Sequence, residues 1–214
     1  MEFQFKNEYK FEDLLNIMEI LRGKNGCPWD REQTHSSIRN SLVEETYEAV
    51  EAIDLNNREM LCEELGDVLL QVVFHAQIAK ENGEFDINAV ADGICKKLVV
   101  RHPHVFGDTS VNNSDDVIKN WDAIKYQTKK YDSLREQLDG VSKALPSLIR
   151  AQKLQKRADN AGKLTDEMFS LDLGDPALTA YARELFSLAN KARLEKIDLE
   201  EALSKYNAQL TEQF

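Results

Sequence analysis

The sequence predicts an all-α protein, and three observations support this fold class. Apolar residues recur at the spacing of a helix face, first at Phe11, Leu14, Leu15, Met18 and Leu21. Only nine glycines and four prolines interrupt the 214 residues, and they punctuate the chain between its periodic segments. No segment of any length shows the two-residue alternation that is typical of a half-buried strand. We therefore expect a bundle of helices.

Each helix is predicted from its apolar periodicity and from the capping or breaking residues around it. The expected helices span residues 11–21, 36–54, 58–82, 86–101, 114–130, 146–161, 177–194 and 198–212. The GKNGCPWD segment at 23–30 is expected to be a loop, and residues 162–176 are expected to be irregular. The stretch VLLQVVFHAQIA at 68–79 is apolar nearly all round, so we expect it to be buried on most faces.

Composition and charge narrow the class of protein. The apolar fraction of 42% and the charged fraction of 30% are ordinary for a globular chain with a core. A net charge of −11 argues against a large basic surface for duplex nucleic acid. The three cysteines are too few for a disulfide framework, the first ten residues lack an apolar signal region, and no membrane-length apolar run occurs. We expect a cytoplasmic protein that does not act in a membrane.

Two pairs of carboxylates are predicted to lie on neighbouring helices. Glu45 and Glu48 fall in the segment EETYE, and Glu64 and Asp67 fall in EELGD. Residues three apart share a helix face, so each pair projects together. The short link at 55–58 makes the two helices antiparallel neighbours, which lets the pairs face each other across the seam.

Such a cluster needs a cation. The ordinary interpretation of acidic residues on a helix is a solvated face, but Glu64 and Asp67 lead directly into the most apolar helix of the chain. Gly66 lies between them and costs roughly 1 kcal/mol relative to alanine, which a close backbone or ligand approach would explain. Converging carboxylates repel or take up protons unless a cation binds. Oxygen-only ligands favour Mg²⁺ or Mn²⁺.

A substrate site also needs groups for phosphate and base. Lys97 and Arg101 lie four residues apart and can reach phosphate oxygens, and Trp121 and Lys125 repeat this spacing with a stacking face and a charge. Each residue has an ordinary alternative. Lys97 and Arg101 taken alone are more typical of surface charges, and a lone tryptophan is more often part of a core or its edge.

Longer segments resemble a known family. The carrying segments are GCPWDREQTH at 26–35, SLVEETYEAVEAI at 41–53, EELGDVLLQVVFHAQIA at 63–79, KKLVVRHPHVFGD at 96–108, WDAIK at 121–125 and LPSLIRAQKLQKRA at 145–158. Together they resemble the MazG nucleoside triphosphate pyrophosphohydrolases over residues 11–161. The resemblance implies the all-α NTP pyrophosphatase fold, in which helical bundles pair into a homodimer.

The resemblance also implies an activity: Mg²⁺-dependent cleavage of nucleoside triphosphates between the α- and β-phosphates. The family's metal motif falls on Glu45, Glu48, Glu64 and Asp67. We expect Glu44 or Glu63 to orient or deprotonate the attacking water. Lys97 and Arg101 are expected to hold phosphates and Trp121 to contact the base, with Lys125 adding a charge; stacking on every base predicts broad specificity. Trp29 is a further pocket candidate, with a loop anchor as an equally good alternative.

The chain is predicted to contain a catalytic helical domain at 1–140 and a shortened, degenerate second repeat at 141–214. The segment FDINAVADGICKKL at 85–98 aligns without gaps to IDLEEALSKYNAQL at 197–210, although chance similarity of two amphipathic helices is an alternative. Gln209 and Gln213 stand where the first copy has Lys97 and Arg101, and no second ExxE…ExxD pattern follows Gly140.

Three alternative functions match parts of the sequence. A di-iron bundle needs two ExxH pairs, whereas the chain has a single such pair, Glu32 and His35. A zinc site at His102 and His104 lacks matching ligands nearby, and a helix-terminating turn explains the RHPHVF segment better. The eroded second repeat makes a non-catalytic nucleotide sensor or binding dimer the serious alternative.

Overall fold

A computed structural model describes residues 3–111, 113, 114, 116, 117, 120, 121, 124 and 131–213. Within these residues all regular structure is helical, which confirms the predicted all-α class. The α-helices are α1 (Phe11–Arg22), α2 (Pro28–Glu32), α3 (Arg39–Asp54), α4 (Arg58–Glu81), α5 (Ile87–Arg101), α6 (Pro103–Phe106), α7 (Leu134–Asp139), α8 (Ser147–Asn160), α9 (Pro176–Leu194) and α10 (Leu199–Gln213). Much of the helix expected at 114–130 lies outside the described residues.

The chain forms two compact units, Met1–Trp121 and Asp122–Phe214. The division into 1–140 and 141–214 rests on the sequence repeat and remains a prediction. Among the described residues, no helix combines the length and apolar character that crossing a bilayer requires.

The core of the first unit forms where α1 and the second half of α4 pack together. Its buried members are Met18, Ile38, Val73, Phe74 and Ile78. Within residues 68–79, only the side chain of Leu69 is exposed, as the continuous apolar pattern predicted. The other half of α4, which carries the acidic residues, therefore extends from a firmly buried anchor.

The segment expected to be a loop at 23–30 contains the short helix α2. Pro28 begins this helix because its fixed φ suits a first helical position. Arg22 holds the segment in place: its side chain is 6% exposed, and its guanidinium lies 2.7 Å from the Glu81 carboxylate on α4. The same guanidinium donates to the carbonyl oxygens of Asp30 and Gln33. These hydrogen bonds hold the segment that precedes α3 against α1 and α4.

Helices α3 and α4 form a tight antiparallel hairpin, the most extensive helix contact in the described chain. Asn56 takes a left-handed φ of 51°, and the Asn57 side chain accepts a hydrogen bond of 3.2 Å from the backbone N–H of Met60. Ala49 and Ala52 are buried on α3, so the two helices approach closely over small side chains. This close approach brings the acidic faces of the two helices together.

The second unit packs α9 mainly against α8. Gln155 of α8 is 1% exposed and donates a hydrogen bond of 2.7 Å to the Phe186 carbonyl. Gln152 donates to the Ile197 carbonyl at 2.8 Å. The segment expected to be irregular at 162–176 contains a 3₁₀ turn, Asp166–Phe169, and ends on Pro176, the first residue of α9.

The turn between α4 and α5 has a counterpart between α9 and α10. Gly83 and Lys196 both take a left-handed φ, 72° and 61°. Asp86 and Asp198 follow these residues, and each accepts hydrogen bonds from backbone N–H groups in the first turn of the next helix. The left-handed residue lies three positions before Asp86 but two positions before Asp198, so the turns are similar without matching residue for residue, and the duplication remains a prediction.

Candidate functional site

Three carboxylates from α3 and α4 meet at the hairpin seam. One oxygen from each of Glu45, Glu48 and Glu64 lies within 4.8 Å of the others, and all three residues are half-buried. The spacing of three residues places Glu45 and Glu48 on one face of α3, and the antiparallel packing of α4 brings Glu64 to the same point. No other group of three or more potential ligands occurs in the part of the chain that the structure describes.

The fourth predicted ligand, Asp67, lies beside this group rather than within it. Asp67 is half-buried one turn after Glu64, and its charge acts on both Glu45 and Glu64. The structure therefore brings three of the four residues into one cluster and places the fourth within electrostatic range.

Crowding of negative charge perturbs two of the carboxyls. Burial is the largest cause that raises the pKa of Glu45, and the charges of Asp67, Glu48 and Glu44 raise it further. Burial likewise raises the pKa of Glu64, followed by the charges of Glu48, Glu63, Asp67 and Glu45. A hydrogen bond between Glu45 and Glu48 also favours the protonated form of Glu45. The cluster thus binds protons more readily than isolated glutamates do.

The donor set suits a hard divalent cation. All the contributing atoms are carboxylate oxygens, and neither a thiolate nor an imidazole belongs to the group. Such ligands favour Mg²⁺, Mn²⁺ or Ca²⁺ over the softer transition metals. A cation at this point would replace the protons and relieve the repulsion.

Gly66 does not mark a close backbone approach. A Cβ atom built on Gly66 would meet no described atom within 4 Å. The first of the two explanations offered for this glycine is therefore wrong, since α3 does not press on its backbone. The approach of a ligand remains a prediction.

Comparisons with known proteins identify the family of the chain. The family model described as MazG nucleotide pyrophosphohydrolase domain matches residues 33–106. A Thermotoga maritima protein named nucleoside triphosphate pyrophosphohydrolase/pyrophosphatase MazG is 42% identical over 95% of this chain and 84% of its own length. The chain belongs to the MazG family. The resemblance drawn from the sequence motifs is thus confirmed.

The chain spans less than two thirds of the length of two other relatives. The nucleoside triphosphate pyrophosphohydrolase of Escherichia coli is 47% identical over 72% of this chain, which spans 59% of that protein. The Bacillus subtilis protein YabN is 42% identical over 96% of this chain, which spans 46% of that protein. The crystal structure of a mazG-related protein from Thermotoga maritima aligns to 53% of this chain and 97% of its own, with 27% identity and a TM-score of 0.45.

The predicted phosphate and base contacts lie at the end of α5. Lys97 is exposed, and Arg101 is half-buried with its guanidinium 5.3 Å from the centre of the Trp121 ring. His102 packs against the same tryptophan with the two rings 4.8 Å apart and 72° to each other. The structure therefore places Trp121 beside Arg101, so these two predicted substrate residues lie next to each other.

The remaining predicted residues fall in different places. Glu44 and Glu63 are exposed and adjoin Glu45 and Glu64 in the chain. Trp29 on α2 is 62% exposed, and its carbonyl accepts a hydrogen bond from Gln33. Lys125 lies outside the described residues. Trp29, Trp121 and Lys125 also lie outside the part matched by the family model.

The sequence analysis missed a row of polar side chains along α4. Gln71 and His75 follow Asp67 at intervals of four residues, so the three share one helix face. His75 forms an Nδ1–Nδ1 hydrogen bond of 2.7 Å with His35, so one ring donates and the other accepts. Burial, followed by the charge of His35, lowers the pKa of His75. The signal was present in the sequence as two polar residues at helical spacing within an apolar run.

We predict that Glu45→Gln stabilises the metal-free protein at pH 7. Because folding raises the pKa of Glu45, the native state holds its proton more tightly, and stability falls as pH rises from the ordinary glutamate pKa through the raised one. The amide removes this penalty, so the melting temperature should rise. Scanning calorimetry in EDTA at pH 4 and pH 7 measures the effect, which should disappear at pH 4.

The matched control is Glu51→Gln, which alters an exposed glutamate on the same helix outside the cluster. Its melting temperature should follow that of the wild type at both pH values. An unchanged or lower melting temperature for Glu45→Gln at pH 7 would show that charge crowding does not strain the hairpin.

Proposed function

We propose that this protein hydrolyses ribo- and deoxyribonucleoside triphosphates to the monophosphate and pyrophosphate, with Mg²⁺ and with broad base specificity. The observation that carries the proposal is the meeting of Glu45, Glu48 and Glu64 in a chain of the MazG family. Two relatives bear the name of this activity. The proposed setting is the cytoplasm, and the substrates are free nucleotides rather than duplex nucleic acid, in keeping with the net charge of −11.

The three clustered glutamates, together with Asp67, are the proposed Mg²⁺ ligands, and Mn²⁺ suits the same oxygens. When bound there, the cation supplies Lewis acidity and neutralises triphosphate charge. The acidic cluster by itself would repel a triphosphate. Metal binding and substrate binding at this site should therefore depend on each other.

Glu44 and Glu63 are the candidates for handling the attacking water. Each is exposed and adjoins a proposed ligand, so its carboxylate is accessible to solvent at the edge of the cluster. In the proposed step a water oxygen bonds to the α-phosphorus and gives a proton to one of these carboxylates. The bond from the α-phosphorus to the bridging oxygen breaks, and pyrophosphate leaves with the electron pair.

Lys97 and Arg101 are the proposed phosphate contacts, and Trp121 is the proposed base contact, with Trp29 and Lys125 as further substrate residues. Support comes from the end of α5, where the Arg101 guanidinium and the Trp121 ring lie 5.3 Å apart. The charge of Arg101 suits the phosphates of a nucleotide, and the aromatic face of Trp121 suits its base. Because every base has a π-face, stacking on tryptophan supports broad specificity.

The first activity test compares Glu48→Gln and Asp67→Asn with the wild type. Each variant should lower kcat/KM by at least roughly 100-fold, because metal stabilisation of a transition state amounts to several kcal/mol. Ion-exchange chromatography of the products, with each common NTP and dNTP and Mg²⁺, measures the monophosphate and the pyrophosphate.

Glu59→Gln is the control for the loss of one acidic charge, since Glu59 is exposed in the first turn of α4. It should retain wild-type activity. Full activity of Glu48→Gln would remove the metal assignment. Nucleotide binding without turnover by the wild type would instead favour a sensor or binding module.

A second test addresses phosphate binding by Lys97. Lys97→Met should raise KM by roughly tenfold, because a hydrogen bond to a charged group contributes about 1.5–3 kcal/mol. The matched control is Lys96→Met: Lys96 adjoins Lys97 but pairs with Asp92 at 2.6 Å. Steady-state kinetics should separate the two variants, and equal effects would mean that only the overall charge matters.

We further propose a homodimer formed through α3. Its large apolar side chains Val43, Tyr47 and Val50 are 51%, 56% and 46% exposed and lie on one helix face. A second copy would cover this stripe, since such apolar rows on a helix normally face a partner.

Tyr47→Glu should weaken self-association at least tenfold, because tyrosines in the centre of an interface often contribute strongly and a glutamate there would be desolvated. Sedimentation equilibrium measures the dissociation constant. Leu194→Glu is the control, since Leu194 is 65% exposed at the end of α9 in the second unit. A wild-type chain that stays monomeric at micromolar concentration would overturn the proposal.

A further inference from the structure

Gln71 is a buried polar side chain whose amide oxygen has no hydrogen-bond partner. It lies in the middle of α4, is 7% exposed, and its Oε1 atom is fully enclosed without a hydrogen bond. Buried polar groups in folded proteins are nearly always hydrogen-bonded, and each exception needs a physical reason. In the buried Gln155 of the second unit the Oε1 atom is likewise without a partner, while Nε2 donates to the Phe186 carbonyl at 2.7 Å, so the amide N–H groups are the atoms that can fix such a side chain.

The position of Gln71 directs it toward the carboxylate cluster. Gln71 is four residues after Asp67 and seven after Glu64, so all three lie on one face of α4. Side chains on a helix lean toward its N-terminus, which is the direction of Asp67 from Gln71. A glutamine amide offers two N–H donors, and a carboxylate at this distance along a helix is a natural acceptor.

The residue one turn after Gln71 also has an enclosed nitrogen without a hydrogen bond. His75 lies one further turn along the same face, and its Nε2 is enclosed without a hydrogen bond. Its ring is held from behind by the 2.7 Å contact with His35. Gln71 therefore lies between the His75 imidazole and the Asp67 carboxylate along α4. Its amide oxygen can accept a hydrogen bond from the imidazole, and its amide nitrogen can donate one to the carboxylate.

We propose that Gln71 is a positioning residue for the metal site, whose amide orients the Asp67 carboxylate toward the bound cation. The inference rests on the proposed binding of a divalent cation and assigns a role that the four carboxylates do not cover. Residues that hold metal ligands in place commonly change metal affinity or activity by 10- to 100-fold when they are replaced. Gln71 thus contributes to binding without touching metal or substrate.

The test uses Gln71→Met in the full chain, with Mn²⁺ as a paramagnetic probe and no nucleotide present. Methionine is close to glutamine in shape and needs no hydrogen bond, so the metal-free melting temperature should be unchanged or higher. The Mn²⁺ dissociation constant, measured by electron paramagnetic resonance, should rise 10- to 100-fold. A residue that only fills space would leave Mn²⁺ binding unchanged, and this result would overturn the inference.

Three further variants complete the test: Gln77→Met and Gln71→Asn address the role of Gln71, and Glu48→Gln addresses the metal site. Gln77→Met is the matched control, since Gln77 is on α4 but donates to Glu81 at 2.8 Å; it should bind Mn²⁺ like the wild type. Gln71→Asn keeps the amide but draws it back by one methylene, so it should weaken Mn²⁺ binding even if Gln71→Met fails to fold. Unchanged binding by a folded Gln71→Asn would then refute the positioning role.

Glu48→Gln separates this inference from the proposed function. If the wild type binds Mn²⁺, Glu48→Gln does not, and both Gln71 variants bind normally, only the role of Gln71 is wrong. If neither the wild type nor Glu48→Gln binds Mn²⁺, the metal site and the positioning role are both wrong.

Discussion

The antiparallel packing of α3 on α4 places like charges against each other, and the rest of the site depends on this contact. The small residues Ala49 and Ala52 allow close approach, and the same approach brings Glu45, Glu48 and Glu64 within 4.8 Å of one another. Packing favours the hairpin, while burial and repulsion between the carboxyls oppose it and raise the pKa of Glu45. A cation that binds between the helices would reverse the sign of the electrostatic contribution, so one contact serves both fold and function.

The hairpin can hold this unfavourable cluster because its far end is strongly anchored. Val73, Phe74 and Ile78 of α4 lie in the apolar core, and Arg22 joins α1, α4 and the approach to α3. Marginal stability leaves little free energy for strained sites, so such a cluster requires firm packing nearby. Glu81 illustrates the opposite balance: burial would raise its pKa, but hydrogen bonds from Arg22 and Gln77 bring it below the usual value.

The second unit contains a turn between α9 and α10 that resembles the turn between α4 and α5 of the first unit. The turns at Gly83 and Lys196 share a left-handed backbone and a following aspartate cap. In the described residues of the second unit, however, no group of three or more potential ligands comes together. The carboxylate group therefore depends on the side chains placed on α3 and α4, and not on the helical framework alone. The shortened second repeat stays a prediction.

The sequence by itself determined the seven longer helices that the structure describes, their order and the two carboxylate pairs, because helical periodicity and residue spacing are local properties. The short helices α2, α6 and α7 were not predicted. It also carried the motifs that identify the MazG family. Only the tertiary structure decided which carboxylates share one point, since Asp67 stands beside the trio although its spacing equals that of Glu48. It also decided that α2 interrupts the expected loop and that the Gln71 amide oxygen lies buried without a partner. These outcomes depend on how the packed helices are rotated and separated. Residues that are distant in sequence determine this packing jointly.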